Sequence, residues 1–434
     1  MQKIKKILFE DVALMGDIQK VTEFTYMKIL RFNLSNINSW PGKEIGESST
    51  KYVCLKTTVQ IVLNLFCLGT GMVFMVKNSD KSFFELGHMI ITCMMGFVAL
   101  SRILITLPQA KKYRNLATSF LTKMHLLFFK DVSEYAMMTH RKVHLLSHVF
   151  TLYLTGQMCC GILLFNAIPV WSNYSSGKYA EKVLYNTTFE HSLYLSIPVL
   201  KIYTHLDAYM FGLVYNWFMS YLCSSSFCML DLLLSLMVFN VWGHLNILLH
   251  DLETFPLPAN KDIVSTDDGK AVSAEMYSEE ELKLISQKLK QCIDYHRLIA
   301  DFTDQMSAAF GPVLFIYYAF HQVSGCLLLL ECSQMTAETL MRYVPLSIVI
   351  FQQLIQLSVI FELVGTTSDK LKDAVYGVPW QCMDTKNRKV VAIFLYFVQE
   401  PIQVKALGVV NVGVTTMAGI LKTSLSYFTF LRSM

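Results

Sequence analysis

The sequence predicts an all-α membrane protein with seven transmembrane helices, a cytoplasmic N-terminus and an extracellular C-terminus. Of its 434 residues, 53% are hydrophobic and only 16% are charged, a balance too apolar for a soluble globular protein. Seven apolar runs are each long enough to cross a bilayer core of roughly 30 Å as a helix. These runs are 52–76, 83–107, 146–171, 205–250, 302–331, 343–366 and 411–434.

The placement of Lys and Arg between the runs predicts the orientation. The N-terminal segment and the second-to-third, fourth-to-fifth and sixth-to-seventh connections hold 27 Lys and Arg, whereas the other connections hold five. Because these residues concentrate on the cytoplasmic side, the N-terminus is predicted to lie inside. The apolar region 193–249 is long enough for two spans, but splitting it would place the basic segment 251–301 outside. Seven spans is therefore the better count.

Residues 1–51 form a predicted cytosolic segment, for which an amphipathic helix on the membrane surface and a solvated cap are equally compatible with the pattern. Residues 52–366 hold the first six spans and a ligand pocket in their outer half. Ser278 and Glu281 form a capping box that opens a helix running without a stop into the fifth span. The fourth and fifth spans are therefore expected to project below the membrane over about residues 240–310.

Residues 251–277 contain several Pro and Asp residues and are predicted to be a mobile loop. Residues 367–407 follow the sixth span as a cytosolic anchor, within which an apolar-aromatic helix over 388–404 ends at Glu400-Pro401. Helices four to six are expected to extend into this anchor. The apolar surface of the 388–404 helix needs a protein partner, which favours an assembly interface.

Residues 408–434 form the predicted seventh helix, which has a polar face and an apolar face. The polar face covers about 140° of arc, and only Phe430 and Met434 interrupt its Thr, Ser, Gly and Lys residues. A lysine at mid-membrane is costly against lipid, so this face is expected to meet water or other polar groups. Packing through small residues is an equally good interpretation of this helix taken alone.

The outward halves of spans two to six hold an apolar-aromatic set with sparse polar groups. A small lipophilic ligand needs such a lining, although ordinary packing is the better explanation of any single member. The predicted ligand-binding residues are His88, Met89, Thr92, Tyr153, Gln157, Met158, Tyr209, Tyr215, Tyr318, Gln322, Phe351 and Gln352.

Two glycosylation sequons begin at Asn173 and Asn186, in the connection that the charge pattern places outside. Both are predicted glycosylation sites. A third sequon, at Asn33, lies in the cytosolic segment and is predicted to be unused. Two acids within spans, Asp231 and Glu362, are each expected to pair inside the bundle or to line a wet cavity.

The sequence contains no phosphate-binding glycine loop, dinucleotide fingerprint or nucleophile elbow, so neither an enzyme nor a nucleic-acid partner is predicted. No cofactor is expected. His140, His144 and His148 recur every four residues and could gather a metal, but their position at the membrane boundary favours interfacial polar residues. No metal site is therefore predicted.

A pattern in the C-terminal third carries a family resemblance. It consists of Tyr376, Trp380, Arg388-Lys389, Gln399, Pro401 and the closing run from Leu421 to Arg432. The chain resembles the odorant-specific tuning subunit of the insect odorant receptors, and its length and seven-span layout extend the likeness over the whole sequence.

The resemblance implies an odorant-gated, non-selective cation channel in the plasma membrane of sensory neurons. Its partners would be a small volatile odorant, membrane lipid and a co-receptor subunit, with which it would form a hetero-tetramer around one pore. The last helix would line the pore, and the family's gate would fall at Phe430, Ser433 and Met434. Lys422 and Ser426 lie on the same face.

One departure from the expected cation path concerns charge. Lys422 on the pore-facing side and Arg432 near its mouth would repel cations if present in four copies, which favours a heteromer. A related gustatory-receptor-type channel is an alternative, although the closing run lacks its Thr-Tyr and Gln-Phe pairs. A G-protein-coupled receptor is a lower alternative that the charge pattern opposes, and a secondary transporter would show repeats that are absent.

Overall fold

A computed structural model describes residues 18–47, 53–80, 83–107, 110–179, 188–197, 202–259, 261–265, 271–333 and 337–433. Within these ranges the chain is mostly helical. The helices are α1 Thr25–Asn36, α2 Val53–Lys77, α3 Phe83–Ile105, α4 Lys111–Ser119, α5 Glu134–Ser175, α6 Leu206–Glu253, α7 Glu279–Cys332, α8 Ala337–Asp369, α9 Leu371–Tyr376, α10 Thr385–Phe397 and α11 Val414–Ser433. Two hairpins complete the set, β1 Lys261–Ser265 with β2 Ala271–Glu275, and β3 Lys405–Ala406 with β4 Val410–Asn411.

The seven long helices α2, α3, α5, α6, α7, α8 and α11 lie where the apolar runs predicted them. Five of them, α2, α5, α6, α7 and α8, are long and apolar enough to cross a membrane; α3 carries a shorter apolar stretch, Met89–Ile105. The fourth run forms one continuous helix, α6, which confirms a single span there.

Helix α6 is the centre of the bundle. Its most apolar window is 89% buried, because a helix that is hydrophobic on all sides is stable only when other helices surround it. Helix α5 packs along α6, while α7 packs against α3, α8 and α11. By contrast, α2 leaves Leu55, Val62 and Val76 exposed in the single chain, as expected for a helix that faces lipid.

Two long helices extend beyond their predicted spans. Helix α7 begins at the predicted capping box, in which Ser278 Oγ accepts from the Glu281 amide at 3.3 Å and Glu281 Oε2 accepts from the Ser278 amide at 2.8 Å. Pro312 lies inside this helix without ending it. Helix α5 begins at Glu134, twelve residues before the predicted span, because the Ser133 hydroxyl caps it.

Three predicted loops or helices differ from the structure. Part of the predicted loop 251–277 is the hairpin β1–β2, in which Lys261 pairs with Glu275. The helix predicted over 388–404 is shorter, because α10 ends four residues before Pro401, where the backbone must be extended. Residues 18–47 pack into the core through the buried Tyr26, Met27 and Leu30 of α1, whereas the predicted amphipathic helix near residue 7 lies outside the described residues.

Candidate functional site

The predicted ligand-binding residues separate into several groups in the folded chain. Gln157 and Tyr153 of α5 meet Gln352 of α8: Gln157 Nε2 donates to Gln352 Oε1 at 2.6 Å, and Gln352 Nε2 donates to the Tyr153 hydroxyl. Gln352 Nε2 also donates to Gln356 Oε1, one turn further along α8. We call Tyr153, Gln157, Gln352 and Gln356 the glutamine cluster. It is a polar link between two membrane helices in an otherwise apolar surrounding.

A second group joins α7, α8 and α11. Gln322 Nε2 donates to Ser424 Oγ of α11 at 3.2 Å, and Ser424 Oγ lies 3.3 Å from the Gln322 carbonyl oxygen. The ring of Phe351 packs beside Gly325, where an added Cβ would lie 3.2 Å from Phe351 Cε1 and 3.1 Å from Ser424 Oγ. Tyr318, on α7, is also buried. Phe351 and Gln352 are neighbours on α8, so the two groups touch the same helix.

Tyr209 belongs to a third group, at the end of the bundle formed by the loop before α6. Its hydroxyl accepts from Asn173 Nδ2 at 3.1 Å and lies 3.0 Å from the Tyr179 hydroxyl, while its ring stacks on Phe189 at 4.6 Å. Asn173 is fully buried and also donates to the Glu190 carbonyl oxygen at 2.9 Å. A glycan on Asn173 Nδ2 does not fit this arrangement, so its burial argues against the predicted modification. Asn186 lies outside the described residues.

Tyr215 lines a fourth place, a cavity of about 270 Å³ between α2, α6 and the loop residues 188–197. Its hydroxyl donates to the Leu63 carbonyl oxygen of α2 at 3.2 Å. The remaining members of the predicted set do not share this cavity. Met89 and Met158 are buried packing residues, with Met158 Sδ 3.6 Å from Ser225 Oγ; Thr92 is half-buried; and the His88 side chain lies outside the described part of the chain.

The acid on α6 has a partner that the sequence pattern did not identify. Arg102 Nη1 of α3 lies 2.8 Å from Asp231 Oδ1 and also donates to the Phe227 carbonyl oxygen at 2.9 Å. The guanidinium lies over the rings of Phe227 and Tyr317, 4.6 and 5.1 Å from their centroids. Both charges are therefore neutralised inside the bundle. The signal in the sequence was one Arg and one Asp, each alone in an apolar run, which must pair to be tolerated there.

The acid on α8 holds the start of the last helix. Glu362 Oε2 accepts from the Val414 amide at 2.9 Å, and Gly413 allows this approach because an added Cβ would lie 2.7 Å from the same oxygen. A carboxylate at a helix N-terminus satisfies a free amide and complements the helix dipole. Helix α11 is thus attached to α8 at its first residue and to α7 at Ser424.

The opposite side of α11 is uncovered in the single chain. Lys422, Ser426 and Phe430 are exposed, with 58% of Phe430 accessible, whereas Ile420 and Ser424 are buried against α7 and α8. The Ser433 side chain and Met434 lie outside the description. The described part of the predicted polar face is therefore free of contacts with the rest of the bundle.

The histidines at the other end of the bundle form a packed group. His125 Nδ1 accepts from the Leu127 amide at 3.1 Å, so its Nε2 carries the proton and donates to the Tyr26 hydroxyl at 2.8 Å. Burial, together with the nearby rings of His140 and His144, holds the pKa of His125 well below its usual value. Among the described residues, no group of three His, Cys, Asp or Glu side chains is arranged to hold a metal.

Comparisons with known proteins agree on one family and one fold. A profile of the 7tm Odorant receptor family matches residues 82–425. A search of curated protein sequences finds no match. The fold is similar to that of the insect olfactory receptor OR5 from Machilis hrabei, with a TM-score of 0.74, 12% identity, and coverage of 94% of this chain and 97% of that one. The same receptor in complex with eugenol gives a TM-score of 0.71 and 12% identity over 94% of this chain and 99% of that one.

Proposed function

The chain belongs to the 7tm odorant receptor family, and from this premise we propose that it is the tuning subunit of an odorant-gated, non-selective cation channel. Members of the family are multi-pass membrane receptors rather than enzymes. The ligand would be a small volatile molecule of the kind that the similar receptor binds, for which eugenol is the example. The proposed location is the plasma membrane of sensory neurons, where the subunit would assemble with a co-receptor into a hetero-tetramer.

The observation that carries the proposal is the attachment of α11 to α8. The glutamine cluster joins α5 to α8, and Gln352 within it is adjacent to Phe351, whose ring lies beside Ser424 of α11. Further along α8, Glu362 caps α11. A ligand that displaces the Gln157–Gln352 hydrogen bond would shift α8, and α8 touches α11 at two places.

The proposed pore is supported by the uncovered face of α11. Lys422 and Ser426 lie on this face, and hydration in a shared pore would satisfy both at membrane depth. Phe430 would contribute to a narrow apolar ring, with Ser433 and Met434 beside it, and such a ring closes a pore by excluding water. Four copies of Lys422 would repel cations, so we propose that this chain contributes only part of the pore wall.

The proposed orientation places the N-terminus and helix α10 in the cytoplasm, as the distribution of 27 against five basic residues indicates. Helix α10 leaves Ile393, Tyr396 and Phe397 exposed, which supports a subunit interface at this end. A glycan on Asn186 that endoglycosidase removes would support the orientation. A glycan on Asn33 would overturn it.

The experiment that tests the function is current recording from cells that co-express this chain with the co-receptor. A panel of volatile esters, alcohols, aldehydes and terpenoids should evoke cation current that persists when G-protein signalling is blocked. Current that disappears under the block would overturn the proposal.

A matched pair of variants tests the proposed site. Gln352→Leu removes one hydrogen bond between α5 and α8 and is expected to shift the odorant concentration for half-maximal current by about tenfold. Gln353→Leu changes the adjacent position on α8, outside the glutamine cluster, and is expected to change little. Equal effects of the two variants would argue against the glutamine cluster as the ligand site.

A further inference from the structure

The cavity beside Tyr215 is separate from the glutamine cluster. Its walls come from α2, from the first three turns of α6 and from the loop, whereas the glutamine cluster lies between α5 and α8. The volume, about 270 Å³, equals the liquid volume of about nine water molecules. This is room for one small organic molecule.

The loop forms a fixed wall of this cavity. The Ser196 amide donates to the Thr70 carbonyl oxygen of α2 at 3.1 Å, and the Tyr203 hydroxyl binds both backbone groups of Leu195 at 2.9 Å. Leu193 and Leu195 are buried against α2 and α6 by these ties. The cavity is therefore enclosed by hydrogen-bonded backbone, and its wall surface is almost entirely carbon.

One buried polar side chain on this wall has no partner. Asn216 of α6 is 1% exposed, and neither its Oδ1 nor its Nδ2 makes a hydrogen bond with any described residue. An unsatisfied amide in an apolar interior costs about 1–3 kcal/mol, so its presence calls for an explanation. A ligand hydroxyl supplies one, because an amide accepts from and donates to the same hydroxyl group.

His191 adds a second polar group of fixed polarity. Its Nε2 donates to the Ile202 carbonyl oxygen at 3.0 Å, and burial lowers the pKa of the ring, so His191 is neutral and its Nδ1 is an acceptor. Gly212 allows the ring to approach α6, since an added Cβ would lie 3.2 Å from His191 Cε1. The cavity thus combines a hydrocarbon wall with one amide and one acceptor nitrogen.

Two aromatic residues mark the entrance. Phe66 of α2 and Phe211 of α6 both line the cavity and are 45% and 60% exposed on the outside of the bundle. That outside surface faces the bilayer if α2 spans it, so a lipophilic molecule concentrated in the membrane reaches the cavity without crossing water.

We propose that this cavity, formed by Leu63, Phe66, His191, Gly212, Tyr215 and Asn216, is a second ligand site that binds a medium-chain alcohol entering from the membrane. The hydrocarbon chain occupies the apolar wall, and the hydroxyl bonds to the Asn216 amide. This site does not depend on whether the chain conducts ions.

Photolabelling of the full chain in lipid nanodiscs tests the proposal. The probe is an octanol that carries a diazirine on its alkyl chain, and labelled peptides are mapped by mass spectrometry. Label is expected at Phe66, Phe211 and Tyr215, and octanol should compete about fivefold better than octane, the value of one net hydrogen bond. Label confined to other helices, or equal competition by octane as in a lipid-filled cleft, would overturn the proposal.

Variants separate the cavity from its polar group. Asn216→Leu should keep the label but remove the preference for octanol over octane. Gly212→Leu should fill the cavity and abolish the label, whereas Gly156→Leu on α5, where an added Cβ meets open space, should not. If Gly212→Leu does not elute as a folded protein, Leu63→Trp fills the cavity from α2 instead. Undiminished labelling of a folded filling variant overturns the proposal, and absence of odorant-evoked current does not affect this readout.

Discussion

Helices α6 and α11 both carry polar residues at membrane depth, but they place them in opposite surroundings. On α6, Asp231 pairs with Arg102, and the Asn240 side chain accepts from the Leu126 amide at 2.9 Å. On α11, Ser424 is bonded to α7, whereas Lys422 and Ser426 are exposed on the other side. A polar residue with a partner inside the bundle stabilises the fold, and one left uncovered in the single chain is available to water or to another subunit.

Asn216 is the exception on α6. It is buried like Asp231, but it has no partner among the described residues. The comparison therefore predicts that partnered residues of α6 act on stability, that exposed residues of α11 act on conduction, and that Asn216 acts on ligand binding.

The largest expected effect is at Asp231. Asp231→Leu leaves Arg102 buried without its counter-charge and should destabilise the fold by about 3–5 kcal/mol. Thermal unfolding in detergent, followed by fluorescence-detected size exclusion, measures the loss. The double variant Arg102→Met with Asp231→Leu removes both charges and should recover most of the stability. A double variant as unstable as the single one would contradict the assignment of the pair.

A smaller loss is expected at Glu362, where α8 caps α11. Glu362→Ala leaves the Val414 amide without an acceptor and should cost about 1–2 kcal/mol. Hydrogen exchange at the first turn of α11 should accelerate in this variant. Glu362→Gln keeps an acceptor oxygen and should lose less, so an equal loss in both variants would show that the charge alone matters.

The pH dependence of stability tests the histidine group at the base of α6. Because His125 has a lowered pKa, protonation favours the unfolded chain, and its contribution is complete above the ordinary histidine pKa of 6.5. Stability should fall as the pH drops below this value, by at most about 1.4 kcal/mol per pH unit for this one group. His125→Gln should flatten the profile between pH 5 and 6.5, roughly the range in which an ordinary histidine titrates. An unchanged slope would exclude His125 as the titrating group.

The sequence predicted the helices better than it predicted their neighbours. Apolar runs, the capping box at Ser278 and the charge of the connections depend on local order, and the corresponding helices are present in the structure. The dispersal of the predicted ligand residues was not predictable, because periodicity places a residue on a face without identifying the helix opposite. Leu193 and Leu195 show the limit most clearly: they lie in an apolar stretch before α6, but they form a loop that closes a cavity.

The smallest effects on stability, and the largest on conduction, are expected on α11. Lys422→Gln and Phe430→Ala change exposed side chains, so each should alter the free energy of unfolding by no more than about 0.5 kcal/mol. Lys422→Gln removes a positive charge from the proposed cation path and should raise single-channel cation conductance, while Phe430→Ala should raise the resting leak. Leu425→Ala, an exposed position of the apolar face, is the control and should change neither. If conductance and leak in the two pore variants match those of the control, the uncovered face of α11 does not line the pore and must instead pack against another helix.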